Sequence, residues 1–267
     1  MKQKSRTEYS VMNTTVAFLA QTLAIFMGFF TRVVFTRTLS EGYVGINGLF
    51  TDILNIFSLS ELGVGTAITY ALYAPIARRD IKKQQILMRM FRNFYRITAG
   101  FVLLAGLCLI PFLDILMKDR PDVDHLIIIY LLYLLNSVVS YLLIYKKTLV
   151  DAHQMNYITV MYHNGFLVLQ DILQIIVLFL TRNFILFLVI AVVCTIIGNI
   201  CMSRKADRLF PYLKEPCKEQ LPQEERHDIL RNVKAMLMHK IGNVVVNNTD
   251  NLLISSFVGV VTAGIYS

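Results

Sequence analysis

The stretch TRVVFTRTLSEGYVGINGLFTDILNIFSLSELGVGTAITYALY, residues 31–73, decides the fold of this chain. It contains the end of one apolar segment, a short turn and a second long apolar segment. Four polar or ionisable residues interrupt it, namely Arg32, Asp52, Asn55 and Glu61. A charged side chain in the hydrocarbon of a bilayer costs several kcal/mol unless it faces a protein interior or a hydrated cavity. These residues therefore point to a cavity inside a membrane protein.

The composition of the whole chain indicates the same class of protein. Of the 267 residues, 55% are hydrophobic and 16% are charged, and the mean hydropathy is +0.56. Soluble domains carry about a quarter charged residues, so we predict an all-α polytopic membrane protein. The four cysteines show neither a pairing pattern nor metal-ligand spacing, and we interpret them as small buried hydrophobic residues. No metal site is predicted.

The apolar segments are identified by length, because about 20 residues of helix cross the core of a bilayer. Between the second and third segments, the basic amphipathic stretch 77–96 is predicted to be a helix on the membrane surface, capped by Asp80. A second amphipathic helix is predicted to begin at Pro222. The predicted membrane segments are residues 11–36, 43–72, 97–117, 126–145, 157–180, 184–202 and 235–258.

Lysine and arginine are distributed asymmetrically between the predicted loops. With a cytoplasmic N-terminus, 21 of the 26 Lys and Arg residues fall on the cytoplasmic side and four on the opposite side, with Arg32 inside the membrane. Cytoplasmic loops of membrane proteins carry such an excess, so we predict that the N-terminus is cytoplasmic. Topology accounts for the net charge of +8, and nucleic acid is not an expected partner.

Polar residues recur at helical spacing on five of the predicted segments. Gln21 and Arg32 belong to one stripe on the first segment, and Asn164 and Asp171 share a face of the fifth. Amides and hydroxyls often join helices inside a bundle, and that simpler interpretation stays open for them. One central hydrated cavity would satisfy all the stripes, and a transporter needs such a cavity. The candidate cavity residues are Arg32, Asp52, Asn55, Glu61, Gln21, Asn164 and Asp171.

A weak internal repeat relates the first and seventh segments. A gapless shift of 219 residues places Arg32 on Asn251 and Gly45 on Gly264. Six-segment halves related by repetition are a common plan among transporters, so we expect this chain to be one half of a longer protein with the start of the next. The predicted division is residues 1–202 for the N-terminal lobe, 203–234 for a cytoplasmic loop, and 235–267 for the first helix of a C-terminal lobe.

Two stretches of the sequence resemble a known family. RTLSEGYVGINGLFTDILNIFSLSELGVGTAITYALYAPIARRD (residues 37–80) and NNTDNLLISSFVGVVTAGIYS (residues 247–267) are similar to the Wzx-type oligosaccharide flippases of bacterial polysaccharide synthesis. These proteins belong to the superfamily of multidrug and toxin extrusion (MATE) transporters and the lipid II flippase. The resemblance implies two six-helix lobes around a central cavity in the bacterial cytoplasmic membrane. It also implies transport, by alternating access, of an oligosaccharide linked to undecaprenyl diphosphate.

The resemblance also suggests roles for individual residues. Arg32 is the expected diphosphate contact, because a guanidinium binds phosphate oxygens bidentately and stays charged when buried. Asp52 and Glu61 are its expected partners when the cavity is empty. No cofactor is expected beyond a coupling ion, Na⁺ or H⁺, while membrane lipid and a polysaccharide polymerase or glycosyltransferase are expected partners. The candidate ligands of the coupling ion are Asp250, Asn247 and Asn251, although a carboxylate in a helix contact is an equal alternative.

Two other classes of protein remain as alternatives. A MATE-type antiporter of cationic drugs would share the fold, whereas Arg32 and the loop motifs favour a sugar-lipid exporter. A membrane enzyme acting on polyprenyl diphosphates is the other class, and its best support is an acidic loop cluster that could bind Mg²⁺. Clusters of acidic loop residues are more often solvated turns than catalytic sites, so the chain is not expected to be an enzyme. The only loop candidates for such a site are Asp119, Asp122, Asp124 and His125.

Overall fold

The computed structural model describes residues 6–57, 64–113, 117, 123–215, 219, 221–223, 225, 227–229, 231, 235 and 238. Every regular element within these residues is a helix. The helices are α1 (Arg6–Thr38), α2 (Glu41–Phe57), α3 (Val64–Ala77), α4 (Ile81–Leu109), α5 (Leu126–Tyr141), α6 (Ile144–Ala152), α7 (Asn156–Thr181) and α8 (Phe184–Leu209). Short 3₁₀ helices follow α4 at Ile110–Phe112 and α8 at Pro211–Lys214.

Several of these helices are long and apolar enough to cross a membrane. They span Thr7–Thr38, Ile81–Phe112, Asn156–Thr181 and Phe184–Leu209, and the pair α5 and α6 passes the same test as one bent span. The described residues thus contain four or five candidate spans, which confirms the all-α, multi-pass character of the chain. Its arrangement as a lobe of a MATE-like transporter stays a prediction.

Helix α4 joins two predicted elements into one. The sequence predicted a surface helix up to residue 96 and a separate span over 97–117, whereas α4 continues from Ile81 to Leu109. Its predicted cap is confirmed, because the Asp80 carboxylate accepts a hydrogen bond from the Lys83 amide at 3.0 Å. No glycine or proline lies between residues 81 and 99 to interrupt the helix. A separate surface helix was therefore the wrong prediction.

The predicted fourth segment, 126–145, is broken instead of continuous. Leu142 is extended, Leu143 has a left-handed φ of 69°, and α5 and α6 meet at a bend of 40°. A left-handed conformation costs a residue other than glycine on the order of 1–3 kcal/mol. Packing against α8 helps to offset this cost, because Asn199 Nδ2 donates to the Val139 carbonyl at 3.0 Å, next to the break.

The bundle is held together by apolar packing between helices that are neighbours in space. Helix α1 packs along α7, α7 packs against α8, and α8 packs against α5. Helix α4 packs against α5, and α3 packs against both α4 and α6. Phe50, Phe91 and Tyr130 are fully buried between these helices. Phe26 and Phe29 of α1 are exposed, which suits a helix surface that faces lipid.

Side-chain contacts show which turns share an end of the bundle. Asn13 of α1 binds the turn between α6 and α7, since its Nδ2 donates to the Gln154 carbonyl at 2.9 Å and its Oδ1 accepts from the Tyr157 amide at 2.8 Å. His153 in that turn stacks on Phe210, just after α8, with the ring centroids 4.4 Å apart. The start of α1 therefore lies at the same end of the bundle as the end of α8.

The turn between α3 and α4 belongs to the same end. The Tyr212 hydroxyl donates to Gln84 Oε1 at 2.6 Å, and Gln85 Nε2 donates to the Tyr212 carbonyl at 2.6 Å. At the opposite end, the rings of Phe35 and Phe184 meet with centroids 5.5 Å apart. We call the end that holds the start of α1 and the end of α8 the basic end. It is formed by residues 78–83, 146–156 and 204–215.

The two ends carry different charge. The three ranges of the basic end contain ten Lys and Arg residues, whereas the turns at 37–41 and 181–184 contain only Arg37 and Arg182. The asymmetry counted along the sequence is therefore an asymmetry between the two ends of the described bundle. A cytoplasmic location for the basic end, as the positive-inside rule predicts, stays a prediction.

Gly106 lies on α4 in close contact with α5. A Cβ built at this position would meet the side chain of Leu134, with Cδ2 at 2.9 Å, and the Tyr130 hydroxyl donates to the Gly106 carbonyl at 2.8 Å. We expect Gly106→Ala to lower the free energy of unfolding by about 1–3 kcal/mol through overpacking, measured by thermal unfolding in mild detergent. Gly100→Ala on the same helix is the matched control, because nothing lies within 4 Å of its Cβ. Equal stability of the two variants would contradict this packing.

His153 makes the stability of the basic end dependent on pH. Burial lowers the pKa of His153 below its ordinary value of 6.5, and the hydrogen bond with the Leu149 carbonyl offsets this only in part. The folded state therefore favours the neutral imidazole, and stability is lost as the pH falls from 6.5 towards the lower folded pKa. We expect the melting temperature of the unsubstituted chain to fall more between pH 7.5 and pH 5 than that of His153→Gln. Parallel curves for the two proteins would refute this expectation.

Candidate functional site

A cavity of about 300 Å³ lies between α1, α2, α5, α7 and α8. We call it the arginine cavity. Its apolar wall includes Phe35, Leu132, Phe187 and Leu188. Its polar lining residues are Thr31, Arg32, Asn47, Tyr133, Asn136, Gln170, Asp171 and Gln174. Five helices thus bring together the polar residues of separate sequence segments.

Arg32 supplies the positive charge of this cavity. It lies on α1 one turn after Gly28, which also lines the cavity, and nothing lies within 4 Å of the position that a Cβ of Gly28 would take. The guanidinium acts electrostatically on the hydroxyl of Tyr133 across the cavity. Among the described residues, the salt bridges are formed elsewhere and none involves Arg32. Its charge is therefore available to a bound group.

Asp171 supplies a negative charge to the same cavity. Its side chain is hydrogen-bonded to that of Thr31, which lies next to Arg32 on α1. The Thr31 hydroxyl also lies 3.0 Å from the Met27 carbonyl, so its one proton is shared between the two acceptors. Arg32 and Asp171 line one cavity without forming a salt bridge with each other. The site therefore holds one cation and one carboxylate with space between them.

Amides complete the polar lining. Gln174 is only 2% exposed, and its Nε2 donates to the Phe187 carbonyl at 3.0 Å, which fixes α7 against α8. The Tyr133 hydroxyl donates to Asn47 Oδ1 and joins α5 to α2. Asn136 Oδ1 is buried and has no hydrogen-bond partner among the described residues. An unpaired buried acceptor costs about 1–3 kcal/mol, so this oxygen favours a ligand that donates hydrogen bonds.

The structure brings two of the predicted cavity residues together, Arg32 and Asp171. Asn164 is buried between helices and lies outside the lining of this cavity. Gln21 is exposed, about 16 Å from Arg32 along α1 at 1.5 Å per residue. Asp52 is half-buried on α2 and also lies outside the lining. Whether these three residues bind a ligand stays a prediction.

The remaining predicted residues lie outside the part of the chain that the structure describes. They are the side chain of Asn55 and the residues Glu61, Asp250, Asn247 and Asn251. The same holds for Asp119 and Asp122 of the loop cluster, whereas Asp124 and His125 are described and exposed. Among the described residues, no group of three or more His, Cys, Asp or Glu side chains could hold a metal ion.

Two polar lining residues had no role in the sequence interpretation. Thr31 precedes Arg32, and Asn47 lies five residues before Asp52 in the second segment. Proximity to these residues was the only available signal. A hydroxyl or an amide beside a stripe is too common to identify alone, so packing in three dimensions was needed to select these two.

Comparison with known proteins identifies a family. A family model described as "Polysaccharide biosynthesis protein" matches residues 10–267. This range includes every described residue that lines the arginine cavity and both ends of the described bundle. Neither a curated protein nor a solved structure matches the chain.

Proposed function

Because the chain belongs to the polysaccharide biosynthesis protein family, the family of Wzx-type flippases, we propose that it translocates a lipid-linked oligosaccharide across the bacterial cytoplasmic membrane. Family membership and four or five helices able to cross a membrane support a flippase or exporter role. Members of the family are generally transporters and not enzymes. The proposed cargo is an oligosaccharide on undecaprenyl diphosphate, moved by alternating access for surface polysaccharide synthesis.

The arginine cavity is the observation that carries this proposal. Sugars and a diphosphate cannot cross hydrocarbon unaided, because desolvating their polar and ionised groups costs too much. In the cavity, Arg32 takes the place of water around the phosphate oxygens, and amides such as Asn136 take its place around the sugar hydroxyls. The Asn136 oxygen, which has no partner among the described residues, suits a hydroxyl donor. The lipid tail would stay in the bilayer beside the bundle.

A second candidate function is export of organic cations by antiport. Asp171 favours it, because a carboxylate hydrogen-bonded to Thr31 in a cavity can attract a cation. The balance of charge opposes it, since Arg32 in the same cavity would repel that cation. For either transporter, Na⁺ or H⁺ is the candidate coupling ion.

Cargo competition in vesicles tests the two functions against each other. The full-length protein is reconstituted, and the transfer of a fluorescent oligosaccharide on undecaprenyl diphosphate between leaflets is measured. We expect unlabelled lipid-linked oligosaccharide to slow this transfer and an organic cation such as ethidium to leave it unchanged. Uptake of ethidium without any transfer of the sugar lipid would overturn the proposed function.

A further inference from the structure

A second cavity, of about 230 Å³, lies between α5, α6, α7 and α8, towards the basic end. We call it the lysine cavity. Water takes about 30 Å³ per molecule in the liquid, so this cavity has room for a phosphate-sized group together with water. Gln170 lines both cavities and makes them neighbours. The polar lining residues of the lysine cavity are Ser140, Lys147, Thr159, Tyr162, His163, Gln170, Thr195 and Asn199.

Two consecutive lysines at the start of α6 have different environments. Lys146 Nζ is paired with Asp207 Oδ2 at 2.8 Å and donates to Ser203 Oγ at 2.9 Å. Lys147 lines the cavity instead, and no described residue forms a salt bridge with it. Neighbouring positions on a helix point about 100° apart, so one lysine serves the packing of α8 and the other faces the cavity.

The charge of Lys147 is only partly balanced by its surroundings. Asp151, one turn later on α6, acts on Lys147 electrostatically, but its carboxylate accepts the hydrogen bond of the Thr159 hydroxyl at 2.6 Å. His163 on α7 lines the same cavity and is close enough to interact with Lys147. No described aspartate or glutamate is part of the lining. The described lining itself therefore carries the charge of Lys147 and no carboxylate.

Hydrogen-bond donors surround this charge. The hydroxyls of Tyr162 on α7 and Thr195 on α8 line the cavity, and neither has a hydrogen-bond partner among the described residues. The Asn199 amide is already occupied, because it donates to the Val139 carbonyl beside the break between α5 and α6. One ammonium group with free hydroxyls on two other helices suits a tetrahedral oxyanion, which accepts several hydrogen bonds at once.

We propose that the lysine cavity binds a phosphate group through Lys147, with Tyr162, Thr195 and His163 as additional donors. This inference rests on the proposed function in one respect, the order in which the cargo headgroup meets the two cavities. A phosphorylated headgroup that enters from the basic end would be held at Lys147 before it passes Gln170 and reaches Arg32. The diphosphate of the cargo, a membrane phospholipid and free phosphate share the chemistry that this site recognises.

Titration calorimetry with inorganic pyrophosphate tests the site without any transport step. The full chain in mild detergent is compared with Lys147→Gln, Lys147→Arg and the matched control Lys205→Gln. Because Arg32 is the other proposed phosphate contact, the Lys147→Gln comparison is made in the Arg32→Gln background, where we expect the affinity to fall about tenfold or more, since a charge-assisted hydrogen bond contributes about 1.5–3 kcal/mol. Lys147→Arg should retain much of the affinity, and Lys205→Gln should retain all of it. Melting curves check that each variant is folded.

Two further titrations test where pyrophosphate binds and which phosphate compound is the ligand. Arg32→Gln should still bind pyrophosphate at Lys147, because Arg32 belongs to the other cavity. Short-chain phosphatidylglycerol, with phosphatidylcholine for comparison, replaces pyrophosphate in a separate titration. Dependence on Lys147 with phosphatidylglycerol would identify a phospholipid headgroup as a ligand, whereas dependence with pyrophosphate alone would identify a diphosphate.

Pyrophosphate binding that is absent, or equal in Arg32→Gln with and without Lys147→Gln, would overturn the inference. So would binding that disappears only in Arg32→Gln, since it would place the phosphate in the arginine cavity alone. Either result would overturn only the phosphate site at Lys147, because the transfer of lipid-linked oligosaccharide in vesicles is measured separately. Conversely, a phosphate site at Lys147 in a protein that moves no sugar lipid would refute the proposed function and keep the inference.

Discussion

Replacing Arg32 by glutamine is expected to reduce the transfer of lipid-linked oligosaccharide by about 30-fold or more. The reason is that losing one partner of a desolvated, hydrogen-bonded charge pair costs about 2 kcal/mol or more. Arg32 supplies the cation of the arginine cavity and has no salt-bridge partner among the described residues. The measurement is the initial rate of leaflet transfer in reconstituted vesicles, normalised to the amount of folded protein.

Two variants sharpen the test of Arg32. Arg32→Lys keeps the charge but loses the bidentate geometry, so we expect an intermediate rate. Arg37→Gln, on the same helix and exposed, removes a charge outside the cavity and should leave the rate near that of the unsubstituted chain. If Arg32→Gln transported at the same rate as Arg37→Gln, Arg32 would not be a cargo contact.

The sequence could predict the class of fold because hydropathy and segment length are sufficient to identify membrane helices. It could not predict the continuity of α4, since an amphipathic helix on a membrane surface and the first turns of a spanning helix show the same periodicity. It could not predict the break at Leu142 and Leu143 either. No glycine or proline marks that position, and the hydrogen bond that accompanies the break comes from Asn199, more than fifty residues later in the chain.

The candidate site was predictable where charge made a residue unusual. Arg32 and Asp171 are ionisable residues in apolar segments, and both line the arginine cavity. Asn164 shares a helical face with Asp171, but helical spacing gives only the direction of a side chain and not the depth at which a cavity ends. Gln21 shows the same limit on α1, where the stripe continues beyond the cavity to an exposed position.

The lysine pair also shows why neighbouring charges need the structure for their interpretation. In sequence, Lys146 and Lys147 are equal contributors to a positive loop. In the fold, the bend between α5 and α6 places Lys146 against Asp207 and Lys147 in a cavity. The same residue type therefore has a structural role at one position and a proposed binding role at the next.

Replacing Lys146 by methionine is expected to be among the most destabilising single changes at the basic end. The side chains of Lys146 and Asp207 are only 13% and 18% exposed, and Asp207 Oδ1 already has no hydrogen-bond partner among the described residues. Removing the lysine leaves a buried carboxylate without compensation, which costs about 3–5 kcal/mol. The measurement is the free energy of unfolding in mild detergent, from denaturant or thermal curves.

The double variant Lys146→Met with Asp207→Leu separates the effect of losing the ion pair from the effect of leaving one charge buried without a partner. Replacing a buried ion pair by apolar residues is often neutral or stabilising, so we expect most of the lost stability to return. Lys83→Met breaks the more exposed pair with Glu225, whose side chains are 36% and 44% exposed, and should cost about 1 kcal/mol or less. If the double variant were as unstable as Lys146→Met alone, the loss would come from packing around Lys146 and not from an unpaired charge at Asp207.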